Sequence, residues 1–85
     1  MKSSTTRRFR AAYADLPEEV QRKARLAYQL FSENPYHPSL QFKKVDQPNT
    51  YSVRVGLGYR ALGMLEGAEI VWFWIGSHSE YDKLI

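Results

Sequence analysis

The last eleven residues, IGSHSEYDKLI, carry side chains that can move protons, and they follow EIVWFW, the most apolar run of the chain. His78 is the natural general acid or base, because a histidine side chain titrates at about pH 6.5. Tyr81 is suited to stacking on a nucleic-acid base or to donating a proton, and Glu80 is a weaker candidate base. Each of these residues alone is equally typical of a surface or of the edge of a core.

A pair of arginines is the second chemical feature. The segment YSVRVGLGYRALG predicts a β-hairpin whose loop is Gly56-Leu57-Gly58, and this register places Arg54 directly opposite Arg60. A like-charge pair facing across two strands is unfavourable, so a fold has no structural need for it. Two forked guanidinium groups side by side suit a phosphate. The alternative is that one arginine pairs with a carboxylate, such as Glu80 or Asp82.

The turn between the last two predicted strands brings these features together. EIVWFWI runs antiparallel to YRALGML, so its end at Gly76 should lie near Gly58. Arg54, Arg60, His78 and Tyr81 are therefore expected around one concavity. RNA cleavage by attack of its own 2′-OH needs in-line positioning, cations on the phosphate and a proton carrier, and these four residues could supply them.

The elements that position these residues predict an α+β fold. DLPEEVQRKARLAYQLFSEN predicts a helix, with Asp15 and Glu18 as a capping box and Asn34 before Pro35 as its end. Residues 3–6 predict an edge strand or a frayed end, followed by a helical segment from Arg7 to Ala14. The second half predicts strands at LQFKKV, YSVRV, YRALGML and EIVWFWI, and the alternation places Trp72 and Trp74 on one face of the last strand.

The sum is a single domain, residues 1–85, with an N-terminal helical hairpin packed on a curved antiparallel sheet of about four strands. The absence of cysteine excludes disulfides, thiolate metal sites and cysteine nucleophiles. The chain has only two histidines and no carboxylates at ligand spacing, so we expect neither a metal site nor another cofactor. The net charge of +3 favours nucleic acid or an acidic protein as partner.

The N-terminal residues lack the apolar centre of a signal peptide, and the longest apolar run, 70–75, is far too short to span a membrane. A cytoplasmic location is therefore expected.

Three blocks of the sequence together resemble the RelE/ParE superfamily of bacterial toxins from type II toxin–antitoxin systems. They are FRAAYADLPEEVQRKARLAYQLFSENP, YSVRVGLGYRALG and IGSHSEYDKLI, and they cover nearly the whole length. In the RelE-like branch, the resemblance implies a metal-independent endonuclease that cuts mRNA on the ribosome. It also implies a cognate antitoxin as protein partner.

The resemblance also implies roles for individual residues. Arg60 matches an arginine that contacts the scissile phosphate, and Arg54 matches a basic position on the preceding strand. His78 and Tyr81 match the C-terminal acid–base position and the aromatic that follows it. The RNA-contacting lysines of some members lie near Lys43 and Lys44.

One departure from the family is MKSSTT, which is shorter and less apolar than the usual first strand. The superfamily also contains ParE-like members that inhibit DNA gyrase and lack the nuclease residues. Inhibition of gyrase by binding is therefore the alternative function, and a non-toxic relic is a third.

Overall fold

A computed structural model describes all 85 residues as three helices and a five-stranded sheet. The order along the chain is β1 (Lys2–Thr5), α1 (Arg7–Ala14), α2 (Glu18–Glu33), a 3-10 turn (Pro38–Leu40), β2 (Lys43–Lys44), β3 (Thr50–Val55), β4 (Tyr59–Glu66), β5 (Glu69–Ser77) and α3 (His78–Leu84). The predicted α+β class and the helical hairpin are confirmed. None of the helices is long and apolar enough to cross a lipid bilayer.

The sheet has the strand order β1-β5-β4-β3-β2, with β1 parallel to β5 and every other pair antiparallel. The expectation of about four strands in an antiparallel sheet is corrected on both counts, because the N-terminal residues form a fifth strand that runs parallel to β5. β1 is also tied to both helices. Arg10 Nη1 donates to the Thr5 carbonyl at 2.7 Å, and the Tyr28 hydroxyl donates to the Ser3 carbonyl at 3.2 Å.

The two N-terminal helices begin at different kinds of cap. α1 follows Thr6, whose hydroxyl accepts a hydrogen bond from the Phe9 N–H at 3.1 Å. The predicted capping box of Asp15 and Glu18 is wrong, because Pro17 occupies the N-cap of α2 and makes no side-chain hydrogen bond. Asp15 instead ends α1, since the connection between the helices is short. α2 ends at Glu33 with Asn34 as its C-cap, within one residue of the predicted end.

The prediction of one strand at LQFKKV is wrong. The segment begins in a 3-10 turn and contributes only the two residues of β2. Leu40 ends the 3-10 turn and is buried in the core below α2. Gln41 then adopts a left-handed conformation, with φ of 45°, which breaks the extended chain. This bend directs the Gln41 carbonyl towards β4, where it has a function described below.

The sheet has an apolar cluster on each face. Phe31, Ile70 and Trp72 belong to the larger cluster, which lies between the sheet and the helices α1 and α2. The smaller cluster consists of Val45, Leu62 and Tyr81, and Tyr81 comes from α3. Helices therefore pack on both faces of the sheet.

A β-bulge in β5 divides its aromatic residues between these clusters. Leu62 pairs with Trp74 and Gly63 pairs with Trp72, so Phe73 has no partner on β4. Trp72 joins the larger cluster, whereas Trp74 packs against the smaller one. The prediction that both tryptophans share one face is wrong, because the extra residue reverses the alternation.

Gly63 is required at the bulge for space. A Cβ atom there would lie 2.6 Å from Ile70 Cγ2 and 2.6 Å from Trp72 Cε3, and both side chains are buried. We expect Gly63→Ala to lower the free energy of unfolding by about 1–3 kcal/mol, as overpacked cores do. Urea unfolding measures the change.

Gly58→Ala is the matched control, because a Cβ at Gly58 would meet no atom within 4 Å. Its effect should stay within about 0.5 kcal/mol. Equal effects of the two substitutions would contradict the close packing around the bulge.

Candidate functional site

The candidate site lies where the β3–β4 hairpin meets the end of β5. Arg54 pairs with Arg60 and Val55 with Tyr59, as the sequence predicts. Arg60 is also paired with Gly76 on its other side. The His78 N–H then donates to the Gly58 carbonyl at 2.8 Å, so His78 lies at this end of the sheet, as expected. The helix α3 that begins there was not predicted.

A capping box starts α3. The Ser77 hydroxyl accepts from the Glu80 N–H at 3.2 Å, and the Glu80 carboxylate accepts from the Ser77 N–H at 3.1 Å. These bonds favour the charged carboxylate, so the backbone N–H of Ser77, then its hydroxyl, hold the pKa of Glu80 below its usual value. The capping box orients α3 across the sheet.

Arg60 is a buried cation, with 4% of its surface exposed. Its Nη2 donates to the Ser52 hydroxyl at 2.8 Å and to the Gln41 carbonyl at 3.1 Å, and its Nη1 donates to Gln41 Oε1 at 3.3 Å. Its Nε is buried without a hydrogen-bond partner. Burial lowers the pKa of Arg60, since a charge is poorly solvated there, and Tyr81 partly offsets this effect.

No carboxylate compensates the charge of Arg60. The only ion pair in the protein between groups of fixed charge is Arg22 with Glu19, and His78 with Asp82 is an ion pair only when the imidazole is protonated. Glu80, one of the two carboxylates considered as partners from the sequence, is held by the capping box. The guanidinium is therefore bound only by neutral groups.

Tyr81 covers Arg60. Its ring centroid lies 5.2 Å from Arg60 Cζ, within the range of a cation–π interaction. Its hydroxyl donates to the Ser52 hydroxyl at 3.2 Å, and only 3% of the residue is exposed. In this arrangement the ring packs against protein on the sheet and is not open to a stacked base.

His78 is the accessible titratable group of the site. Its side chain is 57% exposed, and its Nε2 lies 3.6 Å from Asp82 Oδ2. Its ring centroid lies 5.8 Å from that of Tyr81. The imidazole is thus accessible to a molecule bound outside the Tyr81 ring.

A family model for the ParE-like toxin domain matches residues 18–83, which contain α2, the sheet from β2 to β5 and the candidate site. The chain belongs to the ParE-like toxin domain family. It is therefore a toxin of the RelE/ParE superfamily, as the three sequence blocks indicate. Among curated proteins, none matches this toxin domain significantly in sequence.

Solved structures share the fold of this ParE-like toxin domain. The RelB–RelE antitoxin–toxin complex from Methanococcus jannaschii matches with a TM-score of 0.75 and 20% identity, over 95% of this chain and 98% of that chain. YafQ from E. coli matches with a TM-score of 0.74 and 9% identity, over 94% and 96%. The archaeal RelE–RelB complex from Pyrococcus horikoshii OT3 matches with a TM-score of 0.72 and 15% identity, over 89% and 92%. At these identities, the likeness shows the fold alone.

Arg54 does not join the other three residues of the predicted concavity. Its Nε donates to the Gly56 carbonyl at 3.0 Å, and its side chain lies against a cleft beside α2. Its positive charge still contributes to the lowered pKa of Arg60. In this ParE-like toxin domain, the register of the two arginines was predictable, but their separate environments were not.

The two lysines of β2 differ in environment. Lys43 is exposed and pairs with Ser52, so it projects from the face of the sheet that holds Arg60. Lys44 Nζ donates to the carbonyls of Val45 and Gln47 at 3.4 and 3.3 Å. Lys43 is thus the freer cation near the site.

Sequence reasoning missed Ser52 and Gln41, the two residues that hold Arg60. Ser52 carried a usable signal, because it lies between Tyr51 and Val53 in a strand and on the same face as Arg54. Gln41 carried no such signal, since its carbonyl reaches Arg60 only through the left-handed turn.

The Ser52 hydroxyl accepts from two buried donors, so its removal should be costly. We expect Ser52→Ala to lower the free energy of unfolding of this ParE-like toxin domain by about 1–3 kcal/mol, because Arg60 and Tyr81 each lose a partner. Ser79→Ala is the control, since the exposed Ser79 hydroxyl contacts only that of Ser77. Thermal unfolding of both variants measures the difference, and equal losses would contradict the role of Ser52.

The lowered pKa of Glu80 makes the stability of α3 dependent on pH. A carboxyl with a depressed folded-state pKa contributes stability that is complete above its unfolded value of 4.5 and is lost as the pH falls through the folded value. Glu80→Gln should therefore be less stable than the parent near neutrality, and the gap should close in acid. Thermal midpoints from about pH 6 to about pH 3 measure this.

Glu33→Gln is the control, because the exposed Glu33 side chain makes no hydrogen bond. A gap for Glu80→Gln that stays constant with pH would show that its carboxylate does not stabilise the cap.

Proposed function

We propose that this toxin is a metal-independent ribonuclease that cuts mRNA on the ribosome. The observation that carries the proposal is the buried Arg60 guanidinium, which has no carboxylate partner and whose Nε has no hydrogen-bond partner. Removing a charge from water is costly unless an opposite charge compensates it. A phosphodiester would supply both the opposite charge and an acceptor for Nε.

Access of a phosphate to Arg60 requires Tyr81 to move. Tyr81 belongs to α3, which has seven residues. Two hydrogen bonds join the ends of α3 to the rest of the fold. They are the bond from the His78 N–H to Gly58, and one from Gln47 Nε2 to the Leu84 carbonyl at 3.0 Å. The Tyr81 hydroxyl adds a bond to Ser52. For α3 to swing aside, a bound phosphate must therefore replace both this bond and the contact between Arg60 and the Tyr81 ring.

The proposed reaction needs a cation at the phosphate and a group that carries protons. The 2′-oxygen attacks phosphorus, the O2′–P bond forms and the P–O5′ bond breaks. One proton leaves the 2′-OH and one arrives at the 5′-oxygen. Arg60 would stabilise the negative charge on the phosphorus oxygens, and the exposed His78 would carry one of the two proton transfers. Tyr81, once displaced, would present its ring to a base, and Lys43 would contact the RNA backbone.

A cognate antitoxin is the proposed protein partner. Two of the solved structures with this fold, from M. jannaschii and P. horikoshii, are complexes of RelE with RelB. The basic charge of this chain suits an acidic partner as well as RNA.

The proposal predicts that His78→Ala strongly reduces cleavage while the protein stays folded. The test is induction in a bacterial host without antitoxin, with the 5′ ends of transcripts mapped within minutes. The parent should produce new ends inside translated regions, and His78→Ala should reduce them by about 10²–10⁴-fold, the usual contribution of acid–base catalysis.

Lys83→Ala, an exposed change on the same helix, is the control and should cut as the parent does. Undiminished cleavage by His78→Ala would contradict the proposed site. Growth arrest with intact transcripts and broken DNA would identify a gyrase inhibitor instead.

A further inference from the structure

Gln41 is the surface residue of the hydrogen-bond network around Arg60. Arg60, Ser52 and Tyr81 are all buried. Gln41 is exposed. While the Tyr81 ring covers the guanidinium, a molecule in solution therefore meets Gln41 before it meets Arg60, and the groups that Gln41 presents to solvent decide what can bind there.

The side-chain amide of Gln41 has a defined orientation. A guanidinium has only donors, so the amide atom that faces Arg60 must be the oxygen, and Oε1 accepts from Nη1 at 3.3 Å. The amide nitrogen, Nε2, is therefore turned away from Arg60, and it donates to no group of the protein. Gln41 thus presents two N–H donors at the surface, beside a buried positive charge.

Arg60 makes these N–H groups better donors. The hydrogen bond that Oε1 accepts from the guanidinium polarises the amide, and bonds that follow one another in such a chain strengthen each other. Donors of this kind make their strongest bonds with ionised acceptors such as the oxygens of a phosphate. The free side of the Gln41 amide therefore suits an anion.

The backbone of Gln41 gives an independent indication that the side chain is used. Its φ of 45° is left-handed, a conformation that glycine adopts without the strain that a side chain brings. The Gln41 carbonyl already accepts from Arg60 Nη2 at 3.1 Å, and a glycine would keep this bond. The turn itself therefore does not require a glutamine.

Lys43 adds a second cation near the Gln41 amide. It follows Gln41 by two residues, is exposed, and pairs with Ser52 on the face of the sheet that holds Arg60. Neither Lys43 nor Arg60 forms an ion pair. An anion that approaches Gln41 is thus attracted by two charges that no carboxylate compensates.

We propose that the Gln41 amide is a phosphate ligand and the first contact of an RNA phosphodiester with the site. Nε2 donates to a phosphate oxygen while Tyr81 still covers Arg60, and the held phosphate then displaces the Tyr81 ring and reaches the guanidinium. The inference rests on the proposed function for RNA as the ligand. It does not depend on whether the bound RNA is cut.

The test measures binding of an RNA dinucleotide whose 2′-OH is methylated, so that it carries one phosphodiester and cannot be cut. Gln41→Gly removes the amide, keeps the carbonyl that binds Arg60 and suits the left-handed backbone. It should bind the dinucleotide at least about tenfold more weakly than the parent, because a hydrogen bond to a charged group is lost. Asn49→Gly is the matched control and should bind as the parent does, since Asn49 is exposed and also left-handed, with φ of 53°.

Gln41→Glu is the second variant and decides the test if Gln41→Gly does not fold. Its carboxylate keeps an acceptor for Arg60 and compensates the buried charge, so the thermal midpoint should rise. The same carboxylate repels a phosphate, so binding of the dinucleotide should fall below that of the parent. Gln29→Glu, an exposed change on α2, is the charge-matched control. Binding by Gln41→Glu as tight as that of the parent would overturn the proposal.

The NMR signals of the Gln41 side-chain amide identify the group that it contacts. These signals are assigned by their loss in Gln41→Gly. They should move when the dinucleotide is added, but not when its methylphosphonate analogue is added, because the phosphorus group of the analogue carries no charge. Equal movement with both probes would show that the amide contacts a base or a sugar, and the phosphate ligand would be wrong.

Transcript cleavage in cells separates this inference from the ribonuclease. If the parent cuts transcripts and Gln41→Gly binds the dinucleotide as tightly as the parent, the role of Gln41 is wrong and the ribonuclease stands. If Gln41→Gly binds weakly and the parent cuts no transcripts, the ribonuclease is wrong and the phosphate ligand stands.

Discussion

The guanidinium of Arg60, buried on the sheet without an opposite charge, is the constraint on which the surrounding structure depends. Three neutral groups solvate it: the Ser52 hydroxyl, and the backbone and side-chain oxygens of Gln41. The register of β3 against β4 brings Ser52 within reach, and the left-handed turn at Gln41 brings the other two. The Tyr81 ring then closes the site from α3 and shares the Ser52 hydroxyl. Such an arrangement leaves the charge solvated but not neutralised, which suits a ligand of opposite charge.

The bulge at Phe73 allows both faces of the sheet, including the face that holds Arg60, to be packed by aromatic side chains of β5. It sends Trp72 towards α1 and α2 and Trp74 towards the face that α3 covers. Trp74 also closes over Gly76, where a Cβ would lie 2.5 Å from the ring. The two faces of the sheet thus have separate tasks. One is packed by the helical hairpin, and the other holds Arg60 below α3.

Much of this fold was predictable because its signals are local. The glycine loop set the hairpin register that opposes Arg54 and Arg60, and the turns fixed which strand ends meet. The failures have physical causes. A single extra residue in β5 reversed the side-chain alternation, which no propensity records. Asp15 met the requirements of a cap for α2 but was needed to end α1. The S-x-x-E signature at Ser77 and Glu80 is a local signal for the start of α3, although the apolar run before it predicts only a strand and its end.

The burial of the side chains in the candidate site was harder to predict than which residues belong to it. Spacing placed Arg60, His78 and Tyr81 together, but burial separated an exposed imidazole from a covered guanidinium and ring. Gln41 enters the site only through tertiary packing.

The measurement that tests the central claim most directly is the NMR signal of the Arg60 Nε–H during titration with an RNA whose 2′-OH groups are methylated, so that it binds without being cut. If Arg60 is a phosphate ligand, this signal moves on binding, together with the ring signals of Tyr81, because the phosphate takes the place of the ring. If the His78 signals saturate while the Nε–H stays unchanged, Arg60 is a structural cation, and the account of the site given above is wrong.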